Sequence, residues 1–296
     1  MGKMRLPFED KVFYTIVYVF SFLLLLVVLY PMVLIVSSSF SSPWAVSSGQ
    51  VVLFPVEPGL RGYETVFRNP RVLIGYRNTI FYTVVGTFIN VAMTLICAYP
   101  LARKRLPHKG FFTFLFAFTM LFSGGMIPNY MLIRDLRMLN TVWAILLPGS
   151  ISIFNMVITR TFISSSIPDE LLEATQIDGC SDFKYFFLFV LPLSKAIIAV
   201  LAIRYSVGYW NSWFGAFLYL TNRNLMPLQI FLREILVLSQ FSPSDIMDEE
   251  TAMAFQGLAD LVKYALIVVS TAPILCIYPF FQKYFIKGVM IGSIKG

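Results

Sequence analysis

Arg204 is followed by Tyr205, Tyr209, Trp210, Asn211, Trp213 and Tyr219, residue types suited to the non-covalent recognition of sugars. Flat aromatic faces stack on sugar rings and the Asn211 amide bonds hydroxyls, a set that suits neutral and acidic sugars alike. The same aromatic residues suit a belt at a membrane edge or plain packing, so two readings stand side by side. Covalent chemistry has few players. The single histidine, His108, sits in a basic turn where a solvated loop residue is the ordinary outcome. Cys97, Cys180 and Cys276 show neither metal-ligand spacing nor a pair placed for a disulfide. No GxxxxGK followed by Ser or Thr occurs, and the only Gly-Lys pair is Gly2-Lys3, so this chain carries no phosphate-binding loop.

The elements that position these residues follow from composition. The chain has 296 residues, is 57% hydrophobic with 29 Phe, has only 13% charged residues and a mean hydropathy of +0.74. That balance belongs to an integral membrane protein, and helices are the natural way across, because lipid offers no partners for backbone groups. A bilayer core needs about 20 helical residues. Apolar stretches of that length predict an all-α protein of six transmembrane helices, at about 12–36, 78–102, 110–133, 138–159, 196–220 and 264–281, in a single membrane domain. The first stretch follows basic residues as a signal peptide would, but its length predicts a retained span.

Every Asp and Glu lies outside these spans, and Arg204 is the one charge within them. Nine residues past Lys195, it lies about 13 Å along the helix, near mid-bilayer. An unpaired Arg there costs about 2.5 to 3.5 kcal/mol on the insertion scale, so it is expected to face the protein interior or a wet pathway. The net charge of +7 follows membrane orientation and excludes nucleic acid as the expected partner. With both ends inside, that side holds 13 Lys and Arg against nine opposite. The short turn Arg103, Lys104, Arg105 and Lys109 weighs most, because short loops set orientation.

Between the fourth and fifth spans the inner loop, residues 160–195, contains EATQIDGCSDFKYFFLFVLP from Glu173 to Pro192. Ser166, Pro168, Asp169 and Glu170 are helix-start signals, with acids where the helix dipole favours them. Gly179 is expected to end that helix, because glycine takes the left-handed conformation cheaply. Phe183, Phe186, Phe187 and Val190 recur at i, i+3, i+4 and i+7, predicting a second helix with one apolar face on the membrane surface.

The order Glu173-Ala174-Thr175, Gly179 six residues after the Glu, then Leu191-Pro192 resembles the EAA loop of ABC-importer permeases. The likeness extends to SIPDELLEATQIDG, FFLFVLPLSKAIIAV, YPLARKRL, WNSWFGAFLYL, YPFFQKYFIKG and IGSIKG, and covers almost the whole chain. It is similar to maltose-permease-like subunits of the carbohydrate-uptake group, particularly those for oligosaccharides derived from polysaccharides. The resemblance implies a type I ABC importer permease fold in a bacterial cytoplasmic membrane, with both termini cytoplasmic. It implies a second, similar permease subunit, two cytoplasmic ATPase subunits, an external sugar-binding protein and an oligosaccharide substrate.

By the same resemblance Glu173, Ala174, Thr175, Asp178 and Gly179, with Leu191 and Pro192, couple the chain to an ATPase. Arg204, Tyr205, Tyr209, Trp210, Asn211 and Trp213 are candidates for the substrate pathway. The chain is then no enzyme and holds no cofactor, ATP and Mg belonging to the ATPase subunits. Thr175 departs from the usual second alanine, and Lys195 stands where a proline is common, which bears on how the fifth span begins. An ion-coupled secondary transporter is the alternative, weakened by the lack of intramembrane carboxylates. An intramembrane enzyme is weakened by the lack of His or Asp in any span. Outside, residues 43–77 and a helix expected over 225–241, followed by acids at 245–250, are places for a partner to touch. Gly124, Gly125 and Pro128 are expected to end or hinge the third span.

Overall fold

The computed structural model describes residues 7–238 and 256–276, and the described residues are helical with no strand. The principal helices are α1 (Phe8–Ser39), α2 (Arg61–Arg68), α3 (Pro70–Ala102), α4 (Lys109–Leu121), α5 (Met126–Asp135), α6 (Ile153–Ser166), α7 (Asp169–Ile177), α8 (Asp182–Leu193), α9 (Lys195–Trp210), α10 (Phe214–Tyr219), α11 (Leu228–Leu238) and α12 (Gln256–Cys276). Three of them, α1, α3 and α12, are long and apolar enough to cross a membrane, and up to five spans result if the bent pairs α4–α5 and α8–α9 each count as one.

The described residues fall into two compact units. One lies within Met1–Asn69 and Leu232–Ala272, the other within Pro70–Phe231 and Pro273–Gly296. In the first, the apolar stretch of α1 is unburied and only Ser37, Ser38 and Ser39 at its end are covered. Those serines anchor the helix end: Ser37 Oγ donates to Leu53 O at 2.6 Å, and Ser39 Oγ meets Tyr63 Oη at 2.7 Å. Gly62 admits α12, since a Cβ there would stand 3.0 Å from the Leu261 side chain.

In the second unit α3 is the central element, with α6 and α9 packed along it. Leu95, Ala98, Leu101, Met156, Ile163, Leu172, Tyr185 and Val190 form its largest apolar core, joining α3, α6, α7 and α8. The other end of α3 grips the residues leading into α11. Asn78 Nδ2 donates to Asn224 O and Met226 O at 2.7 and 3.0 Å, Tyr82 Oη donates to Leu225 O at 2.9 Å, and Thr79 Oγ1 accepts from Leu228 N at 2.9 Å. These bonds pair backbone groups of the short turn before α11 that no helix ladder takes up.

Several span boundaries differ from the sequence expectation. The stretch at 110–133 is two helices meeting at 112°, because the chain runs extended at Phe122 and Gly125 takes φ +85° before α5 starts. The predicted break at Gly124 and Gly125 is therefore a sharp bend. No single helix covers 138–159: a one-turn helix, Trp143–Leu146, ends before Pro148 and Gly149 (φ +74°), and α6 starts only after Ser152, whose Oγ accepts from Asn155 N. Proline withholds a donor and glycine reverses the chain, a local geometry that hydropathy does not register. Helix α9 ends at Trp210, ten residues before the predicted 220, and Asn211–Trp213 separates it from α10. The sixth predicted span, 264–281, starts earlier, at Gln256, and its last five residues lie outside the described ones.

Candidate functional site

Helix α7 ends as the sequence predicts. Gly179 has φ +73°, its N–H bonds Gln176 O at 3.0 Å, and Cys180 N–H reaches back to Thr175 O at 2.9 Å. This is the Schellman pair of bonds, which closes the helix and turns the chain sharply. Glu173, Ala174, Asp178 and Gly179 are exposed on the resulting tip. Thr175 is turned inward and buried, its Oγ1 donating to Leu172 O at 2.9 Å, so it does not share the outward face. Ile177, which sequence reasoning passed over, is the prominent apolar group there at 88% exposure. A large aliphatic one residue before a helix cap is the signal that marks it.

The basic turn after α3 is the second feature missed from sequence, where it serves only to set orientation. Arg103, Lys104 and Arg105 each take a different acid from the loop. Arg103 pairs with Asp182 at 2.8 Å, Lys104 with Asp169 at 2.8 Å, and Arg105 with Glu173 at 3.2 Å. The hydrogen bond from Lys104 holds Asp169 below its ordinary carboxylate value, and the same bond raises Lys104. Arg103 is the structural member, only 18% exposed. Its guanidinium carbon lies 5.2 Å from the Tyr99 ring centre and 5.4 Å from that of Tyr185. The surrounding groove, about 710 Å³, is bounded by the 99–107 turn, α7 and Asp182.

The aromatic helix α8 departs from the predicted face. Residues 186–190 form a π-helical turn, so the register advances and the i, i+3, i+4, i+7 set divides. Tyr185, Phe186 and Val190 enter the core, while Phe183 and Phe187 stay exposed. Leu191 and Pro192 lie within the continuing helix, which bends 78° into α9 at Ser194. The bend forms with Lys195 in place of the common proline. Ser194 Oγ is buried there without a hydrogen-bond partner among the described residues.

The candidate pathway residues also divide. In α9, Arg204, Tyr205, Gly208 and Tyr209 share one face by helical rotation and line a cavity of about 280 Å³ with Asn90 and Gly149. Tyr209 Oη donates to Asn90 Oδ1 at 3.1 Å, and Tyr205 Oη meets Thr94 Oγ1 at 2.8 Å. A Cβ on Gly86 would overlap the Tyr209 ring, so that glycine is what admits it. Asn90 belongs to this set and was not found from sequence, since one amide in an apolar span has no local pattern.

Trp210, Asn211 and Trp213 stand outside the cavity. Trp210 is 6% exposed and meets Tyr76 edge-on at 6.3 Å. Asn211 Nδ2 donates to Val207 O at 2.9 Å, and Trp213 packs on Phe214 and Phe217. The chain past α9 still lines the cavity through Ser212, Gly215 and Tyr219, so these three differ from their neighbours by side-chain direction. Of the three, only Trp210 is buried; Asn211 and Trp213 are exposed.

No family profile matches the chain. Protein LplC of Bacillus subtilis (strain 168) is 40% identical over 267 residues, covering 90% of this chain and 89% of that one. The polygalacturonan/rhamnogalacturonan transport system permease protein YtcP of the same organism is 36% identical over 288 residues, 97% of this chain and 100% of that one. Among solved structures, a crystal structure of a bacterial ABC transporter involved in the import of the acidic polysaccharide alginate superposes with a TM-score of 0.85 at 31% identity. It covers 96% of this chain and 100% of its own.

Proposed function

The chain belongs to the permease subunits of carbohydrate-uptake ABC importers, and from that premise we propose that it forms half of the path of a binding-protein-dependent oligosaccharide importer. It is a multi-pass membrane protein, to which the proposal assigns six spans, cytoplasmic termini and a bacterial cytoplasmic membrane. Its partners are a second, similar permease subunit, two ATPase subunits that hold ATP and Mg, and an external sugar-binding protein. The chain supplies no catalysis of its own.

The observation that carries the mechanical part is the exposed tip of α7, with α7 tied to the turn after α3 by Lys104–Asp169 and Arg105–Glu173 and the start of α8 tied to the same turn by Arg103–Asp182. A helix tip tied to a long core helix passes on a push as a rigid body, where a free loop would absorb it. In this reading Glu173, Ala174, Ile177, Asp178 and Gly179 meet a groove on the ATPase. Leu191 and Pro192 carry the movement through the bend at Ser194 into α9. Closure of the ATPases then switches the paired subunits between outward and inward access. The cavity on α9, with Arg204, Tyr205, Tyr209 and Asn90, lies on the sugar's route.

Reconstitution tests this function. In proteoliposomes holding both permeases and the ATPases, oligosaccharide uptake is expected to require ATP on the ATPase side and binding protein on the other. Uptake by this chain without the ATPases, driven by a proton or sodium gradient, contradicts it.

A further inference from the structure

The 280 Å³ cavity on α9 holds one fixed positive charge and no carboxylate. Its lining polar groups besides Arg204 are neutral: the amide of Asn90 and the hydroxyls of Tyr205, Tyr209, Ser212 and Tyr219. Arg204 is exposed and forms no ion pair among the described residues. Its guanidinium carbon lies 5.2 Å from the centre of the Phe154 ring. Stacking engages the faces of a guanidinium and leaves its edge N–H groups free to fork onto a planar anion. One helical turn on, Gly208 has no side chain, and a Cβ built there meets nothing within 4 Å, so the space beside the guanidinium is open.

A charge set among apolar helices without a counter-ion is costly, and such residues mark a ligand or ion route. We infer that Arg204 binds the carboxylate of an acidic sugar, which makes the transported class uronate-bearing oligosaccharides in preference to neutral ones. Phe154 fixes the guanidinium plane, and the lining hydroxyls of Ser212 and Tyr219 offer bonds to the hydroxyls of the same residue. This inference rests on the importer reading and adds the substrate class to it.

The test uses the assembled permease–ATPase complex in nanodiscs without binding protein, with saturation-transfer NMR as a readout suited to weak sugar binding. The probes are a galacturonate tetramer and the same tetramer with its carboxylates reduced to alcohols. The unaltered complex is expected to bind the acid form at least tenfold more tightly. Arg204→Gln is expected to bring the ratio of acid-form to reduced-form binding close to one, and Arg204→Lys to keep an intermediate ratio, since a point charge replaces the fork.

Equal binding of both tetramers to the unaltered complex overturns the inference without need of a variant. Unchanged acid preference in Arg204→Gln overturns it, as does a complex that loses its second permease subunit in that variant but still distinguishes the sugars. Sugar-stimulated ATP hydrolysis by the full importer separates the two levels. If no saccharide stimulates it, the importer reading itself fails. If saccharides stimulate it without regard to charge, only the Arg204 inference fails.

Discussion

Arg103 and Asp182 are 79 residues apart in the chain and meet at 2.8 Å, with the guanidinium set between the rings of Tyr99 and Tyr185. One side chain thus ties the end of α3 to the start of α8, on the far side of the turn at Gly179. The neighbouring pairs Lys104–Asp169 and Arg105–Glu173 hold α7 to the same turn but are largely open to solvent. Exposed pairs contribute little, so the half-buried, stacked Arg103 dominates the attachment.

Arg103→Ala is therefore expected to loosen α8 by about 1 kcal/mol, or roughly fivefold in exchange protection, because a partly exposed pair and two ring contacts are lost together. Arg103→Lys keeps the charge and loses most of the stacking, so it falls between. Hydrogen exchange of the 182–190 amides measures both. Equal protection in all three proteins removes Arg103 from its role.

The Lys104–Asp169 pair gives a pH dependence of known sign. Asp169 lies below its ordinary 3.8, so its contribution is present above that value and is lost as pH falls through the lowered one. Lys104 lies above its ordinary 10.5, so its contribution is present below that value and is lost as pH rises through the raised one. Exchange protection of α7 is expected to be flat between about pH 5 and 9 and to fall outside that window. A step near pH 6 to 7 contradicts this assignment.

Gly86→Ala forces a Cβ into the ring of Tyr209, and overpacking of this kind costs about 1 to 3 kcal/mol. The same substitution made on a Tyr209→Ala background removes the clash and is expected to cost nearly nothing. Thermal unfolding in detergent of the four proteins of this cycle measures the coupling. Additive effects mean that the two positions do not oppose each other.

Trp210→Ala empties a buried site and is expected to cost about 3 to 5 kcal/mol of stability, without altering the sugar preference of the protein that still assembles. Melting temperature and relative uptake of two oligosaccharides separate the effects. A changed preference at unchanged stability returns Trp210 to the pathway.

Composition and spacing made much of this legible. Helical class, the start of α7 at acidic residues and its end at Gly179 follow from local rules that tertiary structure does not override. The bend at Gly125, the break at Pro148-Gly149 and the π turn at 186–190 were hidden, because an apolar run reads the same whether its helix is straight or broken. The cavity lining was half legible: residue type gave Tyr205 and Tyr209 together with Trp210 and Trp213, and only the folded backbone separates the two that line the cavity from the two that do not. Asn90 and the pairing of Arg103, Lys104 and Arg105 were invisible, since their partners lie far along the chain.

If the tip of α7 passes on work done by another chain, Gly179 is the residue at which that transmission is most exposed to test. A β-branched residue at φ +73° is strained by about 1 to 2 kcal/mol, although nothing lies within 4 Å to clash with its Cβ. ATP hydrolysis and oligosaccharide uptake should be measured side by side in the reconstituted importer carrying Gly179→Val, with Gly179→Asn as the tolerated control. Uptake per ATP hydrolysed is expected to fall at least tenfold, or the ATPase subunits to dissociate, with near-normal coupling in the Asn variant. Normal uptake per ATP in a fully assembled Gly179→Val importer contradicts it.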